Sequence, residues 1–352
     1  MNKLTGRRPI SMDIDYSVDI QSQLEEKLLG TRLHRPVRLD HYETGTELTY
    51  EVTGVPNART ASVHLVVDKF VGGGFAGQVY RVKVLDIQSD AGPTAVPGLE
   101  VGGMYAMKIL IPPSRFSRFF RNILYWLGFQ GPFQLQVNPA AARAGALWQT
   151  LIRRGAQARF GDDRVVVDIH ATFIDDRLGS CGELSEWVDG RTWWLEVDDR
   201  VDLLRRWVRG KTVDESQLGS PEFRTKHTFM HEFVQLLHDM GGNEFARQYE
   251  WSTWKSQPNC LKRNDTDASP AEGLTAVDFR AGLALLPFLP MSPGDFKLIP
   301  QGIARGSLVQ FDRGDLNTLK NYIHTHSGDF PDAEPILDEL VKAERVYRNS
   351  VP

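Results

Sequence analysis

Residues 72 to 79 read Gly-Gly-Gly-Phe-Ala-Gly-Gln-Val, which places Gly72, Gly74, Gly77 and Val79 in a G-x-G-x-x-G-x-V spacing. This spacing constrains the backbone more than any other feature of the chain. Without a Cβ the chain can turn tightly and leave its N–H groups open to an anionic guest. Such glycines occur in two settings: opening a helix after a strand, or forming the turn of a β-hairpin. The following residues choose between them. Tyr80, Val82 and Val84 alternate with Arg81 and Lys83, a period of two that predicts a strand. Upstream, residues 62–67 read Ser-Val-His-Leu-Val-Val and predict the incoming strand. A glycine-tipped hairpin is the expectation.

Residues 86–103 hold Gly92, Pro93, Pro97, Gly98, Gly102 and Gly103 and read as a long turn. Residues 104–111 are the next predicted strand and contain Tyr105-Ala106-Met107-Lys108. A lysine following a glycine hairpin offers a polyphosphate both backbone donors and a cation. The ordinary alternatives are a plain hairpin turn and a solvated strand lysine.

Before the hairpin, residues 1–45 are polar and mixed in charge and read as an extension, with a short helix possible over 21–29. A further strand is expected over 47–55. Residues 112–139 interleave Phe116, Phe119, Phe120, Ile123, Leu124, Trp126, Leu127 and Phe129 with Arg115, Arg118 and Arg121. They read as a core-packing helical insertion or as an interfacial helix in peripheral contact with an anionic membrane or a partner. A helix is expected over 140–155, ended by Arg153-Arg154-Gly155. Strands are expected over 164–173 and 185–188. Phe229, Met230, Phe233, Leu236, Leu237 and Met240 are spaced for a helix buried on one side and stopped by Gly241-Gly242. Residues 332–348 predict a last amphipathic helix.

Among 352 residues, 41% are apolar and 24% charged, enough for a large core. The net charge of −4 argues against a dedicated nucleic-acid binder. Two cysteines, Cys181 and Cys260, exclude a disulfide framework and point to a reducing, cytoplasmic setting. The first 20 residues carry Asp13, Asp15 and Asp19 without an apolar run, so neither a signal peptide nor an anchor is expected there. His227 and His231 lie one helical turn apart and read as ordinary helix-face residues; Asp175-Asp176 and Asp198-Asp199 read as turn acids.

Further motifs follow in order. Glu186-Trp187-Val188-Asp189-Gly190 follows a predicted strand. Gln257-Pro258-Asn259-Cys260-Leu261 precedes Ala276-Val277-Asp278-Phe279-Arg280. With the glycine hairpin and Lys108, this ordered set resembles the protein-kinase-like superfamily, including the aminoglycoside-phosphotransferase-like kinases. The resemblance spans about residues 60–285. It implies an α+β, bilobal fold: an extension over 1–45, an antiparallel N-lobe over 46–188 with its insertion at 112–139, and a small helical C-lobe over 189–352. It further implies ATP and Mg²⁺ as cofactors. Gly72, Gly74, Gly77, Val79, Ala106 and Lys108 would line the nucleotide site, with Lys108 on the phosphates. Glu186 and Val188 would belong to the hinge that holds the base, and Asn259 and Asp278 would bind metal. The acceptor, a protein or a small molecule, is left open.

The sequence departs from that pattern in four places. The catalytic-loop aspartate expected five residues before Asn259 is Trp254. Glu250 is the nearby acid able to act as a substitute base, and Lys255 is a cation suited to the transferred phosphate. The helix over 140–155 has no acid to pair Lys108, and Gln149 is its best polar stand-in. Arg280 stands where the family has glycine. No A-P-E-like segment follows in the last 70 or so residues. Two functions stay open: an atypical phosphotransferase, and a pseudokinase acting as a nucleotide-binding or scaffold module. Nucleotidyl transfer is a further possibility within the enzyme class.

Overall fold

The computed structural model describes residues 41–73, 77–92, 95–110, 139–192, 221–246, 249, 259–264, 273–279, 300 and 314–349. The expected helix at 21–29 lies outside these residues, and so does the insertion expected over 112–139 except for Pro139, which begins a helix.

Six antiparallel strands form a closed barrel: β1 (Glu47–Gly54), β2 (Thr60–Gly73), β3 (Gln78–Gln88), β4 (Met104–Ile109), β5 (Ile169–Asp175) and β6 (Ser180–Glu186). The order around the barrel is β1-β2-β3-β4-β6-β5. Alternation builds it, because successive side chains point to opposite faces. Val52, Val63, Leu65, Val67, Tyr80, Val82, Met107, Ile109, Phe173 and Leu184 turn inward and are buried in one core. The antiparallel arrangement was expected; closure was not. It comes from the last three residues of β1, where Val52, Thr53 and Gly54 pair with Phe173, Thr172 and Ala171 of β5.

Asp175, read from sequence as a turn acid, also pins this closure. Its carboxylate is fully buried. It accepts hydrogen bonds from the hydroxyls of Tyr42 and Tyr50, each at 2.6 Å, and from the Leu178 N–H at 2.7 Å. Burial and the neighbouring carboxylate push both phenols well above their ordinary range, so they stay protonated donors.

Helix α1 (Pro139–Phe160) lies against β5 and β6. Its many alanines allow close approach on several sides, and most of its residues are buried. It runs past the expected stop at Gly155. That glycine is a packing contact, since a Cβ there would lie 2.6 Å from the Met240 sulfur. The helix ends instead at Gly161, whose φ of 71° is in the left-handed region. Residues 163–165 form a 3₁₀ turn where a strand was expected, and the strand begins at Ile169.

A second core gathers α1, α2 (Pro221–Asp239), α3 (Asn243–Ala246), α4 (Leu316–Thr325) and α5 (Ala333–Asn349). The chain's last helix folds back onto α1. Glu344 accepts the Trp148 indole N–H at 2.9 Å, and Glu339 receives Arg143 at 2.6 and 3.0 Å. A small antiparallel sheet, β7 (Gly190–Thr192), β8 (Cys260–Arg263) and β9 (Leu274–Ala276), completes the described elements. Among the described residues no helix is long and apolar enough to cross a membrane.

Candidate functional site

Gly72 and Gly73 end β2 and Gly77 precedes β3, with Gly73 opposite Gln78 in an antiparallel pair, so these glycines stand between two paired strands and do not open a helix. Gly72 has φ of 138°, which favours glycine. A Cβ on Gly77 would lie 2.6 Å from the Ile109 carbonyl oxygen and 3.4 Å from Lys108 Cγ, so the hairpin descends directly beside the lysine. Gly74 lies outside the described residues.

Register brings the next residues together. Val79 is directly opposite Lys108 across β3 and β4, and Arg81 is opposite Ala106. Their neighbours Tyr80, Val82 and Met107 point into the barrel. Val79, Arg81, Ala106 and Lys108 therefore share its outer face.

Lys108 meets Asp278 on that face. The Nζ–Oδ1 distance is 2.9 Å, across 170 residues of sequence. The ammonium end is mostly sheltered, with 13% of the Lys108 side chain exposed against 31% for Asp278. Asp278 is held from two sides. Tyr249 donates its hydroxyl to the Asp278 carbonyl at 2.7 Å, and Phe279 is buried among Phe233 and Tyr249. Burial drives the Tyr249 phenol well above its usual range, so it remains a donor.

Asn259 stands next to this aspartate, its carbonyl accepting the Val277 N–H at 2.9 Å. An amide oxygen and a carboxylate from neighbouring segments are the hard donors that Mg²⁺ prefers. They fit the metal pair implied by the resemblance. Among the described residues no group of three or more His, Cys, Asp or Glu could hold a metal ion. Cys260 follows in sequence but is buried, and burial pushes its thiol up to about 12.

Glu186, expected from sequence at a hinge, is tied down by its side chain as well as by backbone. Glu186 forms a two-pronged ion pair with Arg263 of β8, at 2.6 and 3.0 Å, and its N–H reaches the Asp168 carbonyl at 2.8 Å. The next residue, Trp187, lies beneath two cations of the glycine hairpin, Lys69 at 5.6 Å and Arg81 at 5.4 Å from the ring centre. Val188 is buried. The strand entering this segment is Ser180–Glu186, earlier than the expected 185–188.

Gln149 does not stand in for a lysine partner. Its amide donates to the Val167 carbonyl at 2.9 Å, in the buried seam between α1 and the 3₁₀ turn. Glu250 and Lys255 lie outside the described residues. Sequence reasoning missed Tyr249, Arg263 and Glu183. Glu183 is buried and directly opposite Lys108 in the β4–β6 register. No motif marks it; only the pairing of β4 with β6 gives its position meaning.

No family model matches the chain, and no curated protein matches it. Its neighbours among solved structures are protein kinase domains. One is a rhoptry kinase from Toxoplasma gondii, at 10% identity and a TM-score of 0.32, with 79% of this chain and 64% of that one covered. Another is the BubR1 kinase domain, at 12% identity and a TM-score of 0.32, with 96% and 99% covered.

Proposed function

We propose that the chain binds ATP with Mg²⁺ beneath the glycine hairpin and acts as an atypical phosphotransferase on a hydroxyl acceptor. One observation carries this reading: Lys108, Val79 and Asp278 converge on a single face although they come from distant segments. Lys108 supplies a fixed cation for phosphate oxygens, and the hairpin supplies backbone donors. Asn259 and Asp278 would hold the magnesium, which would neutralise phosphate charge when bound. Val79 and Ala106 offer the base an apolar ceiling, and the segment 186–188 offers it an edge. Two parts of a bilobal design are in keeping with this reading: a barrel core and a helical core, joined through the Glu186–Arg263 and Lys108–Asp278 pairs.

The second reading, a pseudokinase that holds nucleotide without transfer, is favoured by the same ion pair. Lys108 and Asp278 already satisfy each other, and no aspartate stands five residues before Asn259.

Thermal melts with and without 5 mM MgATP test the binding. At a concentration about 100-fold above Kd, a ligand specific to the folded state adds about 2.7 kcal/mol, a rise of several degrees. Lys108→Ala and Asp278→Asn should each remove that rise. Release of phosphate from γ-labelled ATP then separates the two readings: turnover supports transfer, and stabilisation without turnover supports the pseudokinase. Absence of any nucleotide-dependent shift in the unaltered protein would end both.

A further inference from the structure

Lys108 has one described ion-pair partner, and that partner is also the residue assigned to the metal. These two duties conflict. A carboxylate recruited to a divalent cation gives up much of its attraction for an ammonium 2.9 Å away. A lysine on a sheltered strand then needs a second anchor. The family resemblance places that anchor as a glutamate on the helix after the lysine. Here α1 carries no aspartate or glutamate, and its Gln149 is bonded elsewhere.

We propose that Glu183 is that anchor, supplied from the neighbouring strand. It is a positioning residue that holds Lys108 when Asp278 engages a magnesium-bound nucleotide. The inference rests on the nucleotide-site reading above and adds to it a residue no motif indicates.

Three observations support it. Lys108 and Glu183 are direct cross-strand partners, and both flank residues that point into the barrel, so they share its outer face. Facing side chains in such a pair start with Cβ atoms about 4.5–5.5 Å apart, within reach of an ammonium and a carboxylate. Glu183 is only 8% exposed, although a buried carboxylate is costly unless engaged, and it does have interactions of its own. Finally, the row continues in a way that keeps the other nearby cation occupied. Thr172 is opposite Glu183, and Thr53 is opposite Thr172. Arg143 of α1 reaches the Thr172 hydroxyl and the Thr53 carbonyl, each at 3.4 Å, and pairs with Glu339. Arg143 is thus committed further along the row, and Lys108 is the cation in register with Glu183.

The arrangement makes Lys108 a shared group between two carboxylates, one from each core. Without metal, Asp278 takes it. With metal, Glu183 keeps it on the phosphates, so the lysine need not swing into solvent between states.

The test is Glu183→Gln, with MgATP and metal-free ATP (in EDTA) as the probes and calorimetric affinity as the readout. Loss of a charge-assisted contact should weaken MgATP binding by about tenfold. Metal-free ATP should be affected much less, because Asp278 still holds the lysine. Glu183→Asp should restore part of the affinity. If the unaltered protein binds MgATP and Glu183→Gln binds it equally well, this inference alone falls. The same holds if the deficit is identical with and without metal. If the unaltered protein binds no nucleotide, the site reading falls and this one with it. Should Glu183→Gln fail to fold, acetylation of Lys108 in Asp278→Asn, followed by mass spectrometry, decides. A Lys108 labelling rate that stays at its level in the unaltered protein supports the second anchor, and a rise toward the rate of exposed Lys83 overturns it.

Discussion

At the residue scale, several side chains are fixed by burial in one protonation state. His170 sits against Tyr105, with ring centres 5.5 Å apart, and a Cβ on Gly98 would overlap its imidazole. Burial lowers its pKa below 6.5, partly offset by Asp168 and Glu186. A lowered histidine pKa means that the unfolded chain takes up a proton the folded chain refuses. Stability from this group is therefore present above about pH 6.5 and is lost as pH falls below it. Urea midpoints should decline between pH 7 and 5.5, and His170→Gln should flatten that slope even if it lowers stability overall. Gly98→Ala should be strongly destabilising, since Gly98 also has φ of 80°. The two thiols behave in parallel. Cys181 and Cys260 are buried, and the Cys260 thiol is held far above its reactive range, so a thiol reagent at pH 8 should label neither in the native state and both in 6 M guanidinium.

At the scale of elements, α1 is the most heavily committed helix described. It meets the barrel on one side and α5 on another, and its two polar anchors to α5 are buried. Arg143 is 1% exposed and Glu339 17%. Removing the carboxylate strands a guanidinium in the interior, so Glu339→Ala should cost about 3 kcal/mol. Glu344→Ala leaves the Trp148 N–H without its acceptor and should cost about 1–3 kcal/mol. Chemical denaturation measures both. The apolar spacing of α1, α2 and α5 was legible in the sequence because periodicity follows from one-sided burial. Their ends were less legible: Gly155 has the signature of a stop, yet it serves to admit the Met240 sulfur, and nothing local distinguishes those two uses of a glycine. The residues of the candidate site were legible in the same uneven way. The hairpin glycines, Lys108 and Asp278 follow motif spacing. Glu183, Arg263 and Tyr249 face or bond residues 75, 77 and 29 positions away, which no motif spacing encodes. Gln149 was misjudged because a free amide in a sequence says nothing about which carbonyl will claim it.

At the scale of the molecule, one buried carboxylate gathers three donors beside the seam that closes the sheet. Asp175 ties the segment before β1, β1 itself and the end of β5 into one knot. Asp175→Ala should lower the melting temperature by at least several degrees, because three donors lose a charged acceptor in the interior. Amide exchange should then quicken first in 47–54, and unchanged protection there would mean that strand pairing closes the barrel unaided. Closure also decides how another chain can address this half of the protein. In an open sheet the outermost strand leaves a ladder of unsatisfied amides, an invitation to strand donors and to aggregation. Here Val52, Thr53 and Gly54 of β1 and Phe173, Thr172 and Ala171 of β5 pair with each other at the seam. A visitor to that seam is left with side chains to grip, and specificity there must come from their chemistry and not from borrowed main-chain pairing.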